Sequence, residues 1–180
     1  FAIAAKCERA QQETSPSADA MVGAERTNEM PKVSFIGFPV PMLCVGHAGL
    51  GFRQATPCDS PEIVNHFRAL APNDRRMRFC ATLNGSALER HVEGLWQGER
   101  LILAAHDGPL WSGPFHRAGP IRALVELAVA ADEAELGISV DTALRRRGVA
   151  TYLIQTAANL LRPRGVKRIR AYTLPENHSF

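Results

Sequence analysis

From Gly51 onward the apolar positions fall into short runs whose spacing alternates between that of strands and that of helices. "GFRQATPCDSPEIVNHF" predicts a short strand and then a helix start, with Ser60 as cap, Pro61 in the first turn and Glu62 at the positive end. Ile63, Phe67 and Leu70 recur at helical spacing and give that helix one buried face. A second helix is expected from Ser86, with Glu89 completing a capping box and Leu88, Val92, Leu95 and Trp96 forming its apolar stripe. Three strand-like runs follow: "RLILAAHDG", "IRALVELAVA" and "AELGISV". Asp132 and Glu133 mark a turn between the last two, which makes them an antiparallel hairpin. Val149, Leu153, Ala157 and Leu160 then share one helical face, beside Ile154 and Leu161, until Pro163 and Gly165 stop it. "VKRIRAYTL" reads as a strand and "PENHSF" as the beginning of a further helix. The order β-α-α-β-β-β-α-β, with a strand–helix–strand crossover near the end, predicts a mixed α/β sheet.

The preceding region behaves differently. Residues 1 to about 32 are rich in Ala, Glu, Gln, Ser and Thr without a sustained apolar period, so residues 1–50 are expected to be linker or disordered and 51–180 the folded domain. The "VSFIGFPVPMLCVGHAGLGF" stretch is broken by Pro39 and Pro41. If translation began at Met30 it would loosely imitate a signal peptide, but no convincing small-x-small cleavage pattern follows. Cys7, Cys44, Cys58 and Cys80 form no CxxC pair, so reduced thiols and a cytoplasmic location are expected. At 46% hydrophobic and 22% charged residues, the composition is that of an ordinary soluble domain. A net charge of +3 is too small to argue for general nucleic-acid binding. The positive charge is instead local, at Arg145–Arg147 and from Arg162 to Arg170.

In "VDTALRRRGVATYLIQTAANLL" three arginines and a glycine stand where an apolar helix begins. Like charges repel and glycine weakens a helix, so a polyanion held there would offset both costs. The first amides of a helix lack intrahelical partners and carry partial positive charge. Gly148 allows close backbone approach, and guanidinium forks suit phosphate oxygens. A solvated basic loop before an ordinary helix is the plainer alternative. A dinucleotide-binding Rossmann turn is excluded, because Gly-x-Gly-x-x-Gly and its acidic partner are missing.

"RRRGVA", Arg145 to Ala150, resembles the (Gln/Arg)-x-x-Gly-x-(Gly/Ala) signature of the GNAT superfamily of N-acetyltransferases. The strand–loop–helix–strand order through "LPEN" is similar to that family's too, and "ALAPNDRRMRFCATLNGSALERHV" looks like the acetyltransferase domain of the Pat-type protein lysine acetyltransferases. The resemblance implies a mixed, mostly antiparallel central sheet with flanking helices. It also implies acetyl-CoA as co-substrate, no metal, and an amine acceptor such as a protein lysine on an acyl-CoA synthetase, attacked directly in a ternary complex. By the same resemblance, Arg145, Arg146, Arg147, Gly148, Val149, Ala150 and Thr151 bind the pyrophosphate. Backbone amides of Ile138, Ser139 and Val140 meet the pantetheine and thioester, and Asn177 contacts the coenzyme. Glu135 is the implied base, with Glu126 a second choice; an outward-facing strand glutamate is the alternative for either.

Many family members carry Gly where Arg146 stands and where Ala150 stands. The family continues beyond the position of Phe180, often with a tyrosine that protonates the leaving thiolate, so the chain is expected to be incomplete at its C-terminus. A non-catalytic acyl-CoA-binding regulatory module is the rival function, and nucleic-acid contact by the arginines a weaker one. Cys58 and Cys80 read as buried small hydrophobes, and no histidine spacing suggests a metal. Trp96 reads as core, and Trp111 as lining an acceptor site or anchoring a loop.

Overall fold

The computed structural model describes residues 2–5, 49–108 and 119–177. The elements run β1 (Ala2–Ala5), β2 (Leu50–Gln54), α1 (Ser60–Ala69), α2 (Pro72–Phe79), α3 (Gly85–Gly94), β3 (Arg100–Asp107), β4 (Ile121–Ala130), β5 (Glu133–Val140), α4 (Val149–Leu161) and β6 (Arg168–Ala171). Strands β2 to β5 pair antiparallel in sequence order, whereas β5 pairs parallel with β6 across α4. These five strands form the expected mixed, mostly antiparallel sheet. Within the segment read as linker, Ala2–Ala5 adds a sixth strand parallel to β6; residues 6–48 of that expectation lie outside the described residues.

Strands β3 and β4 are apolar almost without alternation because both sheet faces are covered. Leu101, Leu103 and Ala105 of β3 join Ala123, Val125 and Leu127 of β4 under α4, whose Val149, Leu153, Ala157 and Leu161 are buried at successive turns. Ile102, Ala104 and Leu124 face the other way, against Ile63 and Phe67 of α1 and Leu88 and Val92 of α3. Phe67 has no exposed surface, and burying such a side chain stabilises the fold by roughly 1.5–3 kcal/mol.

Local signals corrected three expected boundaries. Helix α1 is preceded by a short 3-10 turn, Pro57–Asp59, and has Asp59 at its N-cap; Ser60 Oγ donates to the Pro57 carbonyl instead. Asp59 accepts from the Thr56 amide and pairs with both terminal nitrogens of Arg53. Helix α3 starts at Gly85, where Asn84 accepts from the Ala87 amide, so Ser86 lies inside the first turn. The β4–β5 turn is Ala131–Asp132, with Glu133 already in the strand.

Helix α2 has no counterpart in the sequence pattern, and none of its residues is buried. It is held by charge and by Phe79, which packs edge-on against Phe67 and His91. Asp74 pairs with Arg145 at 2.7 Å, Arg76 approaches Glu176 at 3.9 Å, and Arg78 meets Glu126 at 2.8 Å. Through these pairs it touches the arginine loop, the segment after β6, and the face of β4.

Candidate active site

The parallel pairing of β5 with β6 stops at Leu136 and Ala171, but β5 continues to Val140 paired only with β4. Gly137, Ile138, Ser139 and Val140 therefore present a backbone edge with no β6 residue opposite. The Ser139 side chain is buried and fixed: its Oγ lies 2.8 Å from His66 Nε2, and His66 Nδ1 lies 3.1 Å from the Ile121 carbonyl. A carbonyl only accepts, so Nδ1 carries the proton and the Ser139 hydroxyl donates to Nε2.

Past this edge, Asp141 caps the Thr142–Leu144 turn and the arginine loop begins. Arg145, Arg146, Arg147 and Gly148 are all exposed. Arg146 (φ 58°) and Gly148 (φ 75°) both take left-handed backbone conformations, and Gly148 is the N-cap of α4. The first turn of a helix of 13 residues is thus flanked by guanidinium groups. Arg145 is paired with Asp74, while Arg146 and Arg147 have no ion-pair partner among the described residues. Val149 is buried and anchors the helix, Ala150 is half-buried, and Thr151 is exposed in the same first turn. These residues fit a diphosphate in charge and in donors. Asn177 follows the turn after β6, where its side chain donates to Thr173 Oγ1; of the helix expected from "PENHSF", Pro175 and Glu176 form a turn instead, and 178–180 lie outside the described residues.

On the face of β4 and β5 opposite α4, a cavity of about 390 Å³ is lined by residues from α2, α3, β3, β4, β5 and the end of β6. Glu126, Glu135 and Gly137 share this face: Gly137 is opposite Glu126, and Glu135 opposite Ala128. The two glutamates are in different states. Glu126 is buried, with Oε2 2.8 Å from Arg78 and 3.1 Å from His91 Nε2. Burial pushes its carboxyl up, but the Arg78 charge and then His91 outweigh burial and hold it below the usual carboxylate range. With Oε2 engaged by both Arg78 and His91, Glu126 is tied into a structural pair, unlike Glu135. Glu135 is exposed to the cavity and has no ion-pair partner among the described residues; Arg170, opposite it on β6, pairs with Glu133 instead.

Sequence reasoning named Glu135, which lines the cavity, but did not name Arg78, His91 or Tyr172 as site residues, which line it too. Arg78 carried no signal because α2 lacks an apolar stripe. Tyr172 continues β6 on the same face as Glu135 and is 45% exposed. Cys58 and Cys80, expected to be buried, are both exposed. Cys58 lies in the 3-10 turn before α1, and Cys80 caps α2 in a left-handed conformation at the cavity wall. Trp96 is half-buried and donates to Ser60 Oγ at 2.8 Å; Trp111 lies outside the described residues.

The Acetyltransferase (GNAT) family matches residues 115–179, which take in β4, the open strand edge, the arginine loop and β6. The fold is that of the GNAT acetyltransferases. Among solved structures, the GNAT domain of PAT from S. lividans is similar over 72% of this chain and 75% of its own, at 27% identity and a TM-score of 0.57. Two others share the GNAT fold at lower identity. The aminoglycoside N-acetyltransferase AAC(6')-Iy in complex with CoA covers 71% and 79% of the two chains at 19% identity and TM-score 0.52. The Salmonella typhimurium enzyme that modifies the N-terminal serine of ribosomal protein L7/L12 covers 73% and 75% at 13% and 0.54. No curated protein sequence matches the chain.

Proposed function

We propose that this GNAT chain is an acetyl-CoA-dependent N-acetyltransferase acting on a primary amine by direct attack in a ternary complex. One observation carries the reading: the Gly148-capped start of α4, with Arg146 and Arg147 exposed beside it, lies one loop beyond residues 137–140 of β5, which have no β6 partner, and Glu135 lies on the same strand just before them. The co-substrate supplies a thioester carbonyl. Arg145 to Thr151 hold its diphosphate, the amides of Ile138, Ser139 and Val140 meet its pantetheine arm and the carbonyl oxygen, and Asn177 contacts it from beyond β6. Glu135 takes a proton from the acceptor ammonium; the neutral nitrogen then forms the N–C bond, the C–S bond breaks, and the nitrogen's surplus proton passes to the departing thiolate, leaving the amide and the free thiol. Pre-positioned amides stabilise the developing oxyanion without reorganisation.

Calorimetry with acetyl-CoA, paired with an assay for released thiol over a panel of amines, tests this. Binding together with amine-dependent thiol release supports it. No binding removes it, and binding without turnover of any amine favours a coenzyme-binding module.

A further inference from the structure

Resting on the acetyl-transfer reading, we infer that the acceptor is a small amphoteric amine, bearing a primary amine at one end and an acidic group at the other. Strand register sets Arg100, Ala128 and Glu135 in one row across β3, β4 and β5. Neighbouring strands lie about 4.8 Å apart, so the backbones of Arg100 and Glu135 are separated by roughly 10 Å. Ala128 between them keeps the floor low, and all three line the same cavity.

The charges in that cavity decide the class. Arg78 and Glu126 are charge-paired, Arg78 meeting Glu126 Oε2 at 2.8 Å. Glu135 has no cation partner among the described residues, and Arg100 has no carboxylate partner. Arg100 Nε donates to the Gln97 carbonyl at 3.2 Å, which leaves the terminal nitrogens of its fork for an anion. The cavity thus offers one unmatched carboxylate and one unmatched guanidinium at opposite sides of a shallow floor. A polycation would set positive charge against Arg100, and a plain alkylamine would leave Arg100 unmatched. An ω-amino acid meets both, its ammonium at Glu135 and its carboxylate at Arg100.

The test compares three acceptors of equal carbon length: ω-aminohexanoate, hexylamine and hexanediamine. Thiol release is measured with wild type, Arg100→Gln and Arg100→Glu, and acetyl-CoA binding is measured by calorimetry on the same samples. Wild type is expected to favour aminohexanoate over hexanediamine in kcat/KM by about tenfold. Arg100→Gln should remove most of that ratio and Arg100→Glu invert it; Arg100 is exposed, so both variants are expected to fold. Equal use of the three amines, preference for the diamine, turnover of none of them, or a ratio unmoved by Arg100→Glu overturns the inference. If acetyl-CoA still binds in those cases, only the acceptor assignment falls; if wild type binds no acetyl-CoA, the acetyl-transfer reading falls with it.

Discussion

Arg78 reaches Glu126 only because the residue opposite Glu126 on β5 is Gly137: a Cβ there would collide with the Arg78 guanidinium. The guanidinium, only 11% exposed, also lies 4.9 Å from the centre of the Phe79 ring. Gly137→Ala should therefore push Arg78 off its partner and strand a buried carboxylate. Breaking a buried pair from one side costs about 3–5 kcal/mol, but the guanidinium is the far end of a flexible side chain beside the cavity and His91 still faces Glu126, so a smaller loss is expected. Urea unfolding measures it. If Gly137→Ala unfolds at the wild-type midpoint, Arg78 has room that the geometry denies it.

Helix α2 is fastened at points of unequal burial. Asp74–Arg145 and Arg76–Glu176 are partly exposed, whereas Arg78–Glu126 is largely buried. At about 1 M salt the screening length drops to about 3 Å, and exposed pairs weaken while buried ones persist. Amide exchange in the first turn of α2 should accelerate several-fold with added salt, leaving Arg78 and Phe79 nearly unchanged. A uniform response along α2 would count against charge as its fastening.

Much of the fold was legible because its signals are local. The β3, β4 and β5 runs and the i, i+4 stripe of α4 state their burial in sequence, and "RRRGVA" sits on one turn with Gly148 at its hinge. What was not legible depends on distant partners. "PNDRRMRF" carries no helical stripe, and its fastenings are Arg145, Glu176 and Glu126, all far along the chain. The cavity likewise arises from cross-strand register, which sets Glu135 beside Ala128 and Glu126 beside Gly137. Glu126 and Glu135 look alike as strand glutamates; only the arrival of Arg78 separates a locked anion from an open carboxylate.

That separation predicts opposite outcomes for the same chemical change. Glu135→Gln should lower kcat by about a hundredfold, within the usual contribution of a general base, with acetyl-CoA affinity held. Glu126→Gln should instead lower stability and leave Arg78 buried without its counter-charge. Steady-state kinetics, calorimetry and thermal unfolding on both variants separate the roles. An unchanged rate for Glu135→Gln would take Glu135 out of the mechanism.

The arginine loop carries a trade-off at Arg146. Its φ of 58° is a conformation that costs a side chain-bearing residue about 1–2 kcal/mol and glycine nearly nothing. Arg146→Gly should raise the stability of the free protein by up to about 1 kcal/mol, because glycine also loses more entropy on folding, while weakening acetyl-CoA binding through the lost guanidinium. Gly148→Ala, at φ 75°, should weaken both. Thermal unfolding without ligand and calorimetry with it give the two signs; tighter coenzyme binding by Arg146→Gly would show that this guanidinium does not face the phosphates.

His66 ties the unpaired edge of β5 to α1 and β4, and its burial gives that tie a pH dependence. Burial pushes the imidazole below its ordinary value, and the bond to the Ile121 carbonyl only partly opposes this. The unfolded chain therefore takes up a proton at about pH 6.5 while the folded chain does not. His66 is thus fully compatible with the fold above about pH 6.5, and stability erodes as pH falls from there toward the depressed folded value, by at most about 1.4 kcal/mol per pH unit. Asp59 and Glu126, both depressed carboxyls, contribute only in more acidic solution, so they do not mask this window. His66→Gln should start from lower stability but follow a flatter slope between about pH 6.5 and 5. Urea midpoints of both proteins across that interval provide the comparison. Parallel slopes would mean that His66 is not the group whose protonation opposes folding, and that the Ser139 tie survives acidification.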